Sequence, residues 1–147
     1  MRDETLIDEL TGHVNLIIRA LLVAGRKGAP AEGRIPFNPL YFNVLRILGA
    51  NGPSRPSYLA DALSVPRTTM STATKALINR GLIQTSADSE DKRALSLSLT
   101  IAGEEVLDAI LRQDRRNSEA MLDTLNCDER EAFVAAIGKV ARGVNGG

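Results

Sequence analysis

Residues 91–100 read Asp91-Lys92-Arg93-Ala94-Leu95-Ser96-Leu97-Ser98-Leu99-Thr100. The alternation puts Leu95, Leu97 and Leu99 on one face of a strand and Ser96 and Ser98 on the other. Such a strand is half buried. It begins beside acids and two adjacent cations, residues that belong at an exposed turn. Upstream, Leu82-Ile83-Gln84-Thr85 has strand character and leads into Ser86-Ala87-Asp88-Ser89-Glu90-Asp91, a cluster of turn formers. The whole reads as a β-hairpin with a charged tip, a device that can hold an arginine out toward a polyanion. An isolated hairpin is marginal in water, so its leucine face must rest on neighbouring helices.

Those helices are legible on both sides. Leu6, Leu10, Val14, Ile17, Leu21 and Ala24 recur in steps of three and four, widened by Ile7, Ile18 and Leu22. Residues 25–36 are a Gly/Pro-rich connection. Leu40, Val44, Leu45 and Leu48 mark a second helix ending near Gly49–Pro53. Ser57 is a candidate cap for a short third helix, Tyr58 to about Leu63. Ser64-Val65-Pro66 is a tight turn, and Pro66 suits the start of a fourth helix from Arg67 to Arg80, stopped by Gly81. Met70, Ala73, Leu77 and Ile78 form its inner face, with Thr74 able to turn inward. After the hairpin, Thr100 caps a long helix to about Leu122, whose apolar stripe is interrupted at 113–117. Asp128 and Glu131 have capping-box spacing for a last helix that buries Phe133, Ala136, Ile137 and Val140.

The 147 residues are enough for one domain with its own core. Aromatics make up 3% and Trp is absent, so that core is aliphatic. Net charge is zero, but its distribution is uneven. Residues 38–93 carry seven basic and four acidic side chains, whereas 94–147 carry six and nine. The positive excess coincides with the hairpin. One cysteine, Cys127, read as a structural residue in a loop, excludes a disulfide framework and a cysteine-based zinc site. No apolar run reaches membrane-spanning length, so a cytoplasmic protein is the default. His13, the sole histidine, has no evident co-ligand, and no metal site or cofactor is expected. No catalytic constellation is present, and no enzyme is expected.

The third and fourth helices form a helix-turn-helix. The outer face of the fourth carries Arg67, Thr68, Thr69, Ser71, Thr72 and Lys75. Small hydroxyl side chains allow close approach to the major groove, and the cations reach guanine edges or phosphates. Threonine is a mediocre helix former, so such a run is costly on a face with no use.

The order helix-turn-helix, Gly81-Leu82-Ile83, Asp88, Asp91-x-Arg93, Leu99-Thr100-x-x-Gly103 resembles the MarR family of winged helix-turn-helix regulators. Asp91, Arg93, Leu99 and Thr100 match its D-x-R-x-x-x-x-x-L-T wing signature. The resemblance implies a mainly α fold with a small β-hairpin wing. It implies a single domain over 1–147, with a winged lobe at 38–100 and dimerisation helices at 1–24 and 101–143. It implies a homodimeric, sequence-specific duplex-DNA-binding repressor reading a pseudo-palindromic operator. By position, Arg93 is the wing arginine, Asp91 its orienting carboxylate and Lys92 a phosphate contact. An inserted guanidinium is favoured in a narrow minor groove, where negative potential concentrates. The resemblance also implies release by a small aromatic or phenolic molecule, with His13, Phe37, Tyr41 and Phe42 as the candidate neighbourhood. The competing reading is a winged-helix protein-interaction module without DNA binding.

Overall fold

A computed structural model describes residues 3–26, 38–88, 90–91 and 93–146. Six helices and one antiparallel hairpin follow in the order α1 (Glu4–Arg26), α2 (Pro39–Asn51), α3 (Pro56–Ala62), α4 (Arg67–Asn79), β1 (Ile83–Ala87), β2 (Leu95–Leu99), α5 (Ile101–Asp123) and α6 (Cys127–Asn145). Packing divides the chain into two compact units, 1–113 and 114–147.

In the first unit, α2 starts at Asn38, whose side chain accepts from the N–H groups of Leu40 and Tyr41, with Pro39 in the first turn. The core gathers Val44, Leu45 and Leu48 of α2, Leu59 of α3, and Met70 and Leu77 of α4. Leu82, Ile83 and Leu97 of the hairpin region and Val106 and Ile110 of α5 complete it. Among the described residues no aromatic ring is buried in it, in keeping with the aliphatic composition. Helix α3 starts earlier than its sequence suggests. Arg55, not Ser57, holds the N-cap position and makes no side-chain cap there. Pro56 has no N–H to satisfy and a φ already suited to a helix, so the cap is dispensable. The turn to α4 contains Ser64 at φ 53°, and Pro66 precedes Arg67. Helix α4 buries Met70, Ala73, Thr74 and Leu77, while Ile78 stays partly exposed. Thr74 satisfies its buried hydroxyl by donating to the Ser71 carbonyl. Gly81 takes φ 73° and turns the chain out of the helix into the hairpin.

The hairpin pairs Ile83 with Leu99, Thr85 with Leu97 and Ala87 with Leu95. Its burial corrects the simple alternation. Leu97 is buried and Leu99 half-buried, but Leu95 is 58% exposed and Ser96 only 5%. Leu95 lies at the tip end, on the wall of an open cleft toward α3 and α4. Ser96 turns toward a carboxylate to which its hydroxyl donates a hydrogen bond. A third piece of chain joins the sheet: Ser54 exchanges two backbone hydrogen bonds with Leu97, at 3.0 and 2.8 Å. Thr100 ends β2 and starts α5, accepting from the Gly103 N–H at 3.0 Å.

Within this unit α1 is a continuous helix whose residues 4–20 are all exposed. Its apolar stripe lies open over this stretch, with Leu6 and Leu10 61% and 63% exposed, while Leu21 and Leu22 near its end are half-buried.

In the second unit, the α6 start also differs from its sequence reading. The capping box is Asn126 with Glu129, not Asp128 with Glu131. The Asn126 side chain accepts from the Glu129 N–H while Glu129 accepts from the Asn126 N–H, both at 3.0 Å. Cys127 is therefore the first helical residue, and it is exposed. Arg130 donates to the Leu122 and Leu125 carbonyls, closing the α5–α6 turn. Helix α6 buries none of its residues. Phe133 is half-buried, while Ala136, Ile137 and Val140, expected inside, are exposed. The helical period places them on one side, but burial also requires a facing surface, which is a matter of tertiary contact. Among the described residues, no helix is long and apolar enough to cross a membrane.

Candidate nucleic-acid interface

Helix α4 presents Arg67, Thr68, Ser71, Thr72 and Lys75 on one face, with Thr69 at its edge, and all six are exposed. Helical spacing puts them together, and the inward Met70, Ala73 and Leu77 fix which way they point. The Thr72 hydroxyl donates to the Thr68 carbonyl at 3.1 Å. That back-bond holds its methyl and oxygen in one orientation. Between the start of α3, the inner edge of α4 and the hairpin tip lies an open cleft of about 440 Å³, with Arg55, Ser57, Arg67, Ser71 and Leu95 among its walls.

Arg93 is exposed at the hairpin tip. Asp91 Oδ1 accepts from the backbone N–H of Arg93 at 2.9 Å, and the Asp91 carbonyl accepts from the Ala94 N–H at 3.0 Å. Asp91 therefore holds the backbone that carries Arg93, not its guanidinium. Lys92 lies outside the described residues, as does Phe37. His13 is exposed on α1, and Tyr41 and Phe42 are half-buried on α2, packed against the core. Neither ring nor His13 lines the described cleft.

The residue that organises the hairpin tip is Asp88. It accepts five hydrogen bonds: two from the Arg55 guanidinium at 3.0 and 3.2 Å, two from the N–H groups of Glu90 and Asp91 at 2.8 and 3.1 Å, and one from the Ser96 hydroxyl at 3.2 Å. Its own N–H donates to the Ala94 carbonyl, closing the loop. Sequence reasoning placed Asp88 among turn formers, and the N–H bonds two and three residues on are the local pattern that its type announces. Arg55, 33 residues away, carried no such signal.

These partners hold the Asp88 carboxyl well below the usual carboxylate range. The Arg55 hydrogen bond contributes most, followed by the two backbone N–H groups, against a smaller opposing effect of burial. A carboxyl depressed in the folded state adds stability above its unfolded pKa and loses it only as pH falls through the folded value. The Asp88 carboxylate thus stays ionised below 3.8, the value of an unperturbed aspartate. The side-chain carboxyl carbon shift of Asp88, followed from neutrality to about pH 3, is expected to stay at its ionised position. Movement centred near pH 4 to 5 would contradict this assignment.

A family model described as the MarR family matches residues 35–94. A transcriptional repressor of Pseudomonas putida, NicR, is 33% identical over 101 residues, covering 69% of this chain. The chain spans 64% of the length of that relative. A solved structure of a probable transcriptional regulator from Pseudomonas aeruginosa superposes with a TM-score of 0.70 at 25% identity, over 92% of this chain and 98% of that one. The Bordetella bronchiseptica BpsR structure, which concerns regulation of DNA binding by 6-hydroxynicotinic acid, shares the fold at a TM-score of 0.64 and 19% identity, over 90% of this chain and 98% of BpsR.

Proposed function

The chain belongs to the MarR family, and from that premise we propose that it is a homodimeric repressor that binds duplex DNA in a sequence-specific manner. One observation carries the reading: the hydroxyl- and cation-bearing face of α4 is exposed in full beside a hairpin whose tip holds out Arg93. The α4 face has the size and chemistry to enter a major groove, and Arg93 has those needed for the adjacent minor groove. Lys92 is assigned a phosphate contact. The unit 38–100 is the DNA-binding lobe.

The pairing platform is the first and the last two helices, 1–24 with 101–143, with α1 and α6 at its ends in the chain. Each carries an apolar side open to solvent: Leu6, Leu10, Val14 and Ile17 on α1, and Val134, Ile137 and Val140 on α6. A second copy covering them would place two recognition helices on half-sites one turn of DNA apart, about 34–36 Å. Release by a small aromatic molecule belongs to the same reading, with His13, Phe37, Tyr41 and Phe42 as its neighbourhood. BpsR, of the same fold, offers a precedent in 6-hydroxynicotinic acid.

The test is binding to a duplex enriched by the protein from a random-core pool. Arg93→Ala is expected to weaken that binding between about tenfold and a hundredfold, the cost of losing one specific groove contact. Its urea midpoint should not change, because the exposed guanidinium is not what Asp91 holds. Equal affinity of the two proteins at matched salt would refute the wing's role. Failure of the unaltered protein to enrich any duplex at low salt, where electrostatic binding is strongest, would leave the protein-interaction module as the better reading.

A further inference from the structure

The wing stands on two neighbouring residues at the entrance to the helix-turn-helix. Ser54 exchanges backbone hydrogen bonds with Leu97 in β2. Arg55, next in the chain and N-cap of α3, reaches past it to grip Asp88 at the end of β1 with two parallel N–H···O bonds. From Asp88 the connection continues. Its Oδ1 fixes the Asp91 N–H, and Asp91 Oδ1 in turn fixes the Arg93 N–H. Two carboxylates thus relay the position of Arg55 to the backbone of Arg93. Ser96, buried under the pair, donates to the oxygen that Arg55 Nε also holds.

We propose that Arg55 is a positioning residue for DNA recognition: through Asp88 and Asp91 it sets where the wing holds Arg93 relative to the recognition helix. This rests on the reading of the hairpin as a DNA-contacting wing.

The energetics separate this role from simple stabilisation. The Arg55 side chain is 42% exposed, so solvent screens the stability that its pair with Asp88 adds and leaves it small. A two-pronged guanidinium–carboxylate pair nevertheless fixes direction as well as distance, which a point charge does not. Without Arg55, Asp88 is free to leave its rotamer and release the Glu90 and Asp91 N–H groups. The tip then samples several positions, and Arg93 must be ordered at the moment of binding.

The experiment compares the full chain with R55A, R55K and R93A, and with R55A in the R93A background. Glu90 and Asp91 amide exchange is read in the free protein, and affinity on the duplex that the unaltered protein enriches. R55A is expected to keep its urea midpoint, to exchange those two amides faster, and to bind about tenfold more weakly, with R55K between. In the R93A background R55A is expected to cost much less than its tenfold alone, because the main residue through which it acts is gone. An equal loss in both backgrounds, with a salt slope shallower by about one, would mean a direct phosphate contact and overturn the proposal. A loss that tracks a lowered urea midpoint would likewise replace positioning by stability. Unchanged amide exchange and affinity in R55A, with the unaltered protein binding normally, overturn this inference alone. No duplex enriched by the unaltered protein overturns the functional reading and this one together.

Discussion

Placing glutamate at both Leu10 and Ile17 is expected to leave the protein monomeric and to lower its affinity for an enriched duplex by about a hundredfold or more. Both residues lie on the same side of α1, and they are 63% and 41% exposed in the isolated chain. A monomeric soluble protein rarely leaves so continuous an apolar stripe to water. If a second copy covers that stripe, two carboxylates there must be desolvated without partners, a penalty large enough to dissociate most interfaces. Separation of the pair also removes the advantage of two linked recognition helices, which alone is worth a factor of about 10² to 10⁴. Sedimentation at micromolar concentration reads the first effect and a gel shift the second. Thr5 lies on the opposite side of the same helix and is exposed, so T5E introduces charge without touching the stripe. It should pair and bind as the unaltered protein does. A dimeric L10E/I17E variant would show that α1 is not the pairing surface.

Gly103→Ala is expected to destabilise the first unit by about 3 kcal/mol, the upper range for forcing extra volume into a packed site. A Cβ at Gly103 would overlap the Leu82 carbonyl, a backbone oxygen that cannot rotate away. The same carbonyl accepts from the Thr100 N–H at 3.1 Å, so any retreat breaks the junction between hairpin and α5. The glycine is required because α5 passes directly over the first residue after Gly81, not because its backbone is unusual. Gly12→Ala supplies the opposite sign. Nothing lies within 4 Å of the added atom in the middle of α1, and alanine there should favour the helix by about 1 kcal/mol. Urea unfolding of the two variants reads both. A neutral G103A would mean that α5 can shift off Leu82 at no cost.

Much of this was legible in the chain because it depends on neighbours a few residues apart. The three-and-four spacing of apolar residues specified the helices. Ser64-Val65-Pro66 specified the turn of the helix-turn-helix, and the Leu95–Leu99 alternation specified the second strand. The exposed polar face of α4 followed from subtracting Met70, Ala73 and Leu77. The cap assignments were less secure. Ser57 and Asp128 are good caps by type, but Pro56 and Asn126 stand earlier in the chain and begin their helices first. Where two polar residues compete within one turn, composition alone does not choose between them.

The sequence by itself determined which segments are helix or strand and which side of each is apolar, since both follow from bonds and contacts within a turn or two. Only the tertiary structure decided that Arg55 meets Asp88, that Ser54 joins the sheet at Leu97, and that Ser96 is buried while Leu95 is exposed. It also decided that the apolar sides of α1 and α6 lie open in the single chain. Those outcomes depend on which distant segments close on one another. A residue's hydrophobicity gives its preference for burial, but the surface that satisfies the preference is supplied by another part of the fold, or by another molecule.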